Sequence, residues 1–415
     1  MQFDKFPISS EILKNLKEMG FHRTTDIQYK SIPPILNGED VLAIAQTGTG
    51  KTAAFAIPII HKIHEFKTSK KTYGIKCIVL TPTRELAKQV GQVFARLSRG
   101  TKTTTYALYG GVEQDPQKHM IEGGIDILIA TPGRMFDLVA QKAIDIRTAS
   151  TFVIDEADQM LDLGFADDIK SIKKILGNKR HQTLFFSATI NPKIKKLAYS
   201  QIQSSAMRIQ VSPEQIVAKN VSHYITKVPM DEKRHLLTNF IQHSPETKTI
   251  VFVRTQVRAE RVQKHLAKNG IDALSLHGGM SQEDRMNTID VFSKMNSGIV
   301  IATDLSARGI DFSKITHVLN YDLPDVPENY VHRVGRTGRG MDLGEAISFC
   351  SEEELVKLKA IESFLSYPIE EVVAEEYNFS DEGPQGIEAM DISEILAMEE
   401  ENFSNKKKKT KNKRG

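Results

Sequence analysis

Short runs of apolar, β-prone residues alternate with longer amphipathic stretches, and this plan occurs twice along the chain. In the first half the runs are VLAIA (41–45), IKCIVL (75–80), TTYAL (104–108), DILIA (126–130), TFVID (151–155) and TLFFSA (183–188). They are nearly continuous rather than alternating, the pattern of strands covered on both faces. Between them lie segments such as RELAKQVGQVFARLSR (84–99), whose apolar residues recur at helical spacing. The second half repeats the plan with KTIVFV (248–253), DALSLH (272–277), GIVIAT (298–303), HVLNYD (317–322) and EAISFC (345–350). Its helical stretch RAERVQKHLAKNG (258–270) ends on Gly270, as a C-cap would. The predicted class is α/β, with two mostly parallel sheets in tandem.

A change of composition around SSAMRIQVSPEQIVAKNVSHY, which contains Pro213, sets the expected division. Lobe one should span 1–207, a linker 208–218 and lobe two 219–368. Residues 369–415 read as a tail, acidic and then lysine-rich, with too little apolar surface to fold alone. A short helix over SEILAMEEE (393–401) is its one candidate element.

The length of 415 residues suits this division, at roughly 150 residues per domain. With 40% hydrophobic and 26% charged residues, the composition is that of a soluble globular protein. No apolar run approaches the ~18 residues of a membrane span, and MQFDKFPISSEIL is not a secretory leader. Cys77 and Cys350 are too far apart to suggest a metal site or a disulfide framework, and both fall in strand-like runs. An intracellular, cytoplasmic protein is expected. A net charge of +3 does not by itself indicate nucleic acid. Its distribution changes the picture: no Lys or Arg occurs from Glu370 to Glu401, and NKKKKTKNKRG then closes the chain. Such an end either touches a polyanion or is a solvated terminus.

The strongest chemical signal is AIAQTGTGKTAAF (43–55), an apolar strand that runs into a glycine-rich turn and then a helix. Thr47, Gly48, Thr49 and Gly50 would turn backbone N–H groups toward phosphate oxygens, aided by the helix dipole. Lys51 would reach the β- and γ-phosphates, and the Thr52 hydroxyl would hold Mg²⁺. In TFVIDEADQM (151–160), four β-prone residues deliver Asp155 and Glu156 to a strand end. Asp155 is the second expected metal ligand, and Glu156 the group that orients an attacking water. Far downstream, HRVGRTGR (332–339) supplies Arg333, Arg336 and Arg339. The second half has no phosphate loop of its own. Arginines arriving from it would complete a nucleotide site in the first half when the lobes meet.

The letters D-E-A-D at 155–158 resemble the signature of the DEAD-box RNA helicases, and further motifs in that family's order extend the resemblance over about 1–368. The resemblance implies two tandem RecA-like P-loop NTPase lobes that use ATP and Mg²⁺ and bind structured or duplex RNA. FDKF and GFHRTTDIQ (20–28) match its adenine-sensing segment, which implies that Phe3 stacks on the base and Gln28 reads its edge. PTRELA (82–87), Gly110 and Gly111, and TPGR (131–134) match elements that hold RNA phosphates, implicating Pro82, Arg84, Thr131, Gly133 and Arg134. SAT (187–189) implies coupling of hydrolysis to RNA through Ser187 and Thr189. In lobe two, the resemblance gives Thr255 and Gly278 to RNA, and makes Gln282 and Arg285 of HGGMSQEDR a Gln-x-x-Arg pair. ATDLSARGID (302–311) implies Thr303 on the RNA side, Asp304 at the ribose and Arg308 at the interface. HRVGRTGR implies that Arg333 and Arg336 sense the γ-phosphate, with His332 beside them.

The mechanism so implied is closure of two lobes around ATP and RNA, with local separation of short duplexes. The compact core and minimal basic tail resemble the bacterial RhlE-like subgroup, implying RNA remodelling or ribosome assembly on ribosomal RNA by a monomer. Two other readings remain at this stage. A DNA helicase or translocase would share the phosphate loop, the acidic pair and the arginines. An RNA clamp or chaperone would bind without productive unwinding.

Overall fold

The computed structural model describes residues 1–46, 48–69, 74–177, 181–211, 217, 220–307, 310, 312, 314–338 and 342–373. Within them lie two sheets of seven strands each, with every recorded pairing parallel. The first contains β1 (Val41–Ile44), β2 (Cys77–Leu80), β3 (Thr105–Leu108), β4 (Ile127–Ala130), β5 (Thr151–Ile154), β6 (Gln182–Ser187) and β7 (Met207–Gln210), in the order β3-β4-β2-β5-β6-β1-β7. The second contains β8 (Val221–Lys227), β9 (Lys248–Phe252), β10 (Leu274–Leu276), β11 (Gly298–Ala302), β12 (His317–Asn320), β13 (Gly344–Cys350) and β14 (Glu370–Glu371), in the order β10-β11-β9-β12-β13-β8-β14. These are two tandem RecA-like lobes.

Successive strand residues enter opposite cores, because side chains alternate across a sheet. Phe186 packs with Phe55 and Phe94 on one face of the first sheet, whereas Phe185 packs with Met160 and Ile172 on the other. In the second sheet Phe252 joins Phe292, while Val251 joins Leu237 and Phe240. Both faces are thus covered, as the continuous apolar runs required. Cys77 and Cys350 are buried free thiols on strands of different sheets.

All eleven predicted strands are present, most of them a residue or two shorter than their apolar runs. Helices Arg84–Leu97 and Gln256–Lys268 occupy the stretches read as amphipathic, and Gly270 adopts φ +73° just beyond the second. Three further strands lie outside the runs read from the chain. β7 pairs with β1, so the first sheet runs through Gln210 and overlaps the linker expected from 208. Its burial is confined to Ile209, which explains why MRIQ reads as polar. β8 lies against β13, and the two-residue β14 lies within the expected tail, on the outer edge of β8. The candidate helix 393–401 and the lysine-rich end lie outside the described residues.

Candidate nucleotide site and interlobe contacts

β1 and β5 flank β6, so the phosphate loop, the acidic pair and the SAT segment emerge side by side from three adjacent strands. Pro82, Gly110 and Thr131 follow the C-terminal ends of β2, β3 and β4 on the same rim. Ligands of open α/β sheets bind at that rim, where helix starts and loop N–H groups converge.

Gly48 (φ +82°) and Gly50 (φ +90°) take the left-handed backbone that a tight phosphate-binding turn requires. A Cβ on Gly50 would collide with the Gln28 amide nitrogen. Helix Lys51–Ser69 begins directly after this turn, with Thr52 half-buried in its first turn. The Lys51 ammonium is buried and has no hydrogen-bond partner. A buried ammonium without a hydrogen-bond partner is costly, and a phosphate group is the anion that fits its position at a helix start. Thr49 Oγ1 donates to Gln46 O at 2.7 Å and shapes the turn, while Thr47 lies outside the described residues.

Asp155 is almost fully buried, and burial pushes its carboxyl up to about 7 against the opposing pull of Lys51. A divalent cation would reverse that shift and hold the carboxylate ionised, so Asp155 and Thr52 fit a Mg²⁺ ion. Glu156 follows in the left-handed region (φ +47°, ψ +55°), strain on the order of 1–2 kcal/mol for a residue with a side chain. Its N–H donates to Asp155 Oδ1 at 3.0 Å. This sharp turn ends the strand and starts helix Ala157–Asp162.

The remaining acid of the motif, Asp158, has a role that the sequence reading did not assign. Its Oδ2 accepts from Ala188 N (3.0 Å), Thr189 N (2.9 Å) and Thr189 Oγ1 (3.1 Å). Burial alone would raise its carboxyl, but the charges of His332 and Lys51, with N–H bonds from Gln159 and Thr189, hold it below the ordinary range. The SAT segment is therefore tied to the acidic motif through Thr189. Ser187, the other expected coupling residue, is fully buried with its hydroxyl unpartnered.

Several expected residues are engaged within the protein. The Gln28 amide accepts from Thr25 N at 3.0 Å and donates to Gly50 O at 3.2 Å, so it links its own helix start to the phosphate loop. Phe3 is 4% exposed and belongs to the lobe-one core, which leaves a base little of its ring. Arg134 donates to Gln117 and to Val112 O, and Gly133 is exposed beside it. Thr255 caps helix Gln256–Lys268 by accepting from Arg258 N, and Thr303 is hydrogen-bonded to Ser306. Gly278 is exposed after β10, whereas Arg308 lies outside the described residues.

Arg333 is held within its own lobe. It is expected at the γ-phosphate, yet it is 2% exposed and its guanidinium is committed inside lobe two. It grips Asp304 with two hydrogen bonds of 2.6 and 2.7 Å and also donates to Asn320 and Asp322 O. A planar guanidinium matches a carboxylate in this bidentate way, and burial strengthens the match. Asp304, expected at the ribose, is taken up by the same pair. Arg336 follows one turn later, donating to His332 O and Ile310 O.

The lobes touch through the elements expected to hold RNA. Arg84 Nη1 donates to Gln282 Oε1 at 2.9 Å, and Arg285 Nε donates to Glu85 Oε1 at 2.7 Å. Gln282 Nε2 also reaches Glu85 at 3.3 Å, and Arg285 Nη2 donates to Ser306 O. Gly111 (φ +79°) leaves space for this clasp, since a Cβ there would strike the Arg84 guanidinium. Glu85 went unassigned in the sequence because its only signal is a carboxylate inside PTRELA, and its partner is 200 residues away.

This fold and site define a two-lobed P-loop nucleoside triphosphatase whose cleft is bridged by charged side chains. Residues 25–197 match the DEAD/DEAH box helicase family and residues 232–341 the helicase conserved C-terminal domain. The ATP-dependent RNA helicase CshA of Listeria monocytogenes is 37% identical over 361 residues, 87% of this chain and 68% of its own length. The DEAD-box ATP-dependent RNA helicase RhpA of Helicobacter pylori is 37% identical over 89% of this chain and 73% of its own. Dbp5 of S. cerevisiae bound to RNA and ADP BeF3 superposes with a TM-score of 0.81 at 28% identity, covering 91% of this chain and 97% of the other. The chain belongs to the DEAD-box family of ATP-dependent RNA helicases. No described helix is long and apolar enough to cross a membrane.

Proposed function

We propose that this helicase separates short RNA duplexes locally, by closing two lobes whose ATP chemistry and RNA contacts are interdependent. The observation that carries this reading is the interlobe clasp of Arg84 and Glu85 with Gln282 and Arg285, four residues from segments matched to RNA-holding motifs. Backbone phosphates and 2′-hydroxyls held along that rim would give sequence tolerance and discrimination against DNA.

In this reading Gly48, Gly50 and Lys51 bind the phosphates, and Gln28 relays the state of the phosphate loop to the first helices. Thr52 and Asp155 would hold Mg²⁺, which when bound supplies positive charge to the transferring phosphoryl. Glu156 orients the attacking water and accepts its proton. Arg336 is the guanidinium assigned to the transferring group, with its helix anchored by the Arg333–Asp304 pair. Thr189 passes the state of the acidic motif, through Asp158, to the segment that follows β6. Ribosomal RNA is the substrate class we assign, acted on by a monomer in the cytoplasm. Support for that assignment comes from the family resemblance and from phosphate-directed recognition suited to structured RNA of many sequences.

The test is ATP turnover by the full chain with and without mixed RNA, with Lys51→Ala as background. Strong stimulation by RNA, absent from the variant, is the expected result. Bound RNA that leaves turnover unchanged would overturn coupled unwinding and favour a clamp.

A further inference from the structure

Helix Gln256–Lys268 starts at Thr255, one of the residues assigned to RNA, and carries four cationic side chains along its length. Of these, Arg258, Arg261 and Lys268 share a face with His265, the four positions being spaced by three or four residues. Arg261, Lys264 and Lys268 are exposed and make no ion pair among the described residues. Arg258, nearest the rim, is the exception, with its Nε 3.3 Å from Asp322. The helix has one acid, Glu260, which accepts a hydrogen bond from Gln256. Helix Lys233–His243, which has no acid, packs alongside and adds the exposed Arg234 and His235, although Asp231 and Glu232 precede it. The His235 and His265 rings meet edge to face with centroids 5.7 Å apart. Burial lowers the His265 pKa, and the charges of His235, Arg234 and Lys268 lower it further, so like charges crowd this surface.

Such crowding is unfavourable without an anion, and a stripe along a helix matches the repeating charge of a polynucleotide backbone. We propose that this stripe, from Arg261 to Lys268 with Arg234 alongside, is a second phosphate track for RNA that leaves the cleft past Thr255. This inference rests on the RNA reading of the cleft. It adds a function for lobe two outside the interlobe site: retention of the single-stranded flank of a substrate.

The experiment compares the full chain with Arg261→Glu/Lys268→Glu, and with the neutral pair Arg261→Gln/Lys268→Gln as a check on folding. Oligouridines of roughly 10 and roughly 20 nucleotides serve as probes, the shorter sized for a single groove. Wild type should bind the longer strand more tightly, and charge reversal should remove on the order of tenfold of that gain, with the salt slope smaller by about 1.4 for two lost phosphate contacts. Binding of the shorter strand, and ATP turnover at its saturation, should be unchanged. Equal loss on both lengths, or no loss on either, would overturn the track. Failure of wild type to bind even the shorter strand would instead refute the RNA reading of the cleft.

Discussion

Arg285 of lobe two donates to Glu85 of lobe one at 2.7 Å, and both side chains are largely buried, at 14% and 5% exposure. A charge pair across an interface contributes most where water is excluded, and removing one partner leaves the other charge uncompensated. Glu85→Gln should therefore lower RNA-stimulated ATP turnover by about tenfold or more, a loss of roughly 1.4 kcal/mol. Nucleotide affinity without RNA should hold, because Glu85 lies outside the phosphate loop. A double-mutant cycle with Arg285→Gln, read in RNA-stimulated turnover, checks the pair, and additive losses would count against a direct clasp.

Gly50→Ala probes the join between Gln28 and the phosphate loop. The new methyl group meets the Gln28 amide and the backbone must keep φ +90°, so strain and collision act together. ATP affinity should fall by at least tenfold, equivalent to about 1.4 kcal/mol. Fluorescent-nucleotide titration reads this directly. An unchanged affinity would show that the turn relaxes without disturbing the phosphates.

Arg333 offers a test of brace against sensor. If its task is to hold Asp304 and the strand ends of lobe two, Arg333→Ala should destabilise the protein by about 3–5 kcal/mol, the usual cost of breaking a buried pair. A residue acting only on the γ-phosphate would lower turnover with stability intact. Chemical denaturation without nucleotide separates the two.

Glu345 gives a pH signature away from the nucleotide. Burial raises its carboxyl to about 7, one of its oxygens has no partner, and His317, itself lowered by burial to about 4, offers no cation near neutrality. The folded protein then holds a proton that the unfolded chain releases nearer 4.5. Its contribution to stability is full below about 4.5 and is lost as pH rises through about 7. Glu345→Gln should flatten the fall in stability between those values, with a gain on the order of 1–3 kcal/mol above pH 7. Urea denaturation at pH 5.5 and pH 8 measures it, and parallel pH dependence in both proteins would rule the assignment out.

The parts legible in the sequence are those that local chemistry controls. Continuous apolar runs marked eleven strands, helical spacing marked the helices between them, and glycines before Lys51 marked a phosphate turn. Each follows from a few consecutive residues obeying a backbone period or a steric limit. Tertiary structure alone decided what depends on distant partners. It made MRIQ a strand by laying it along β1, and it brought Glu85 within reach of Arg285. It also closed Arg333 on Asp304, whereas the sequence reading set the two at different parts of the nucleotide. A charged side chain carries no local mark of its partner, because hydrogen bonding and desolvation are set by whatever the fold brings beside it.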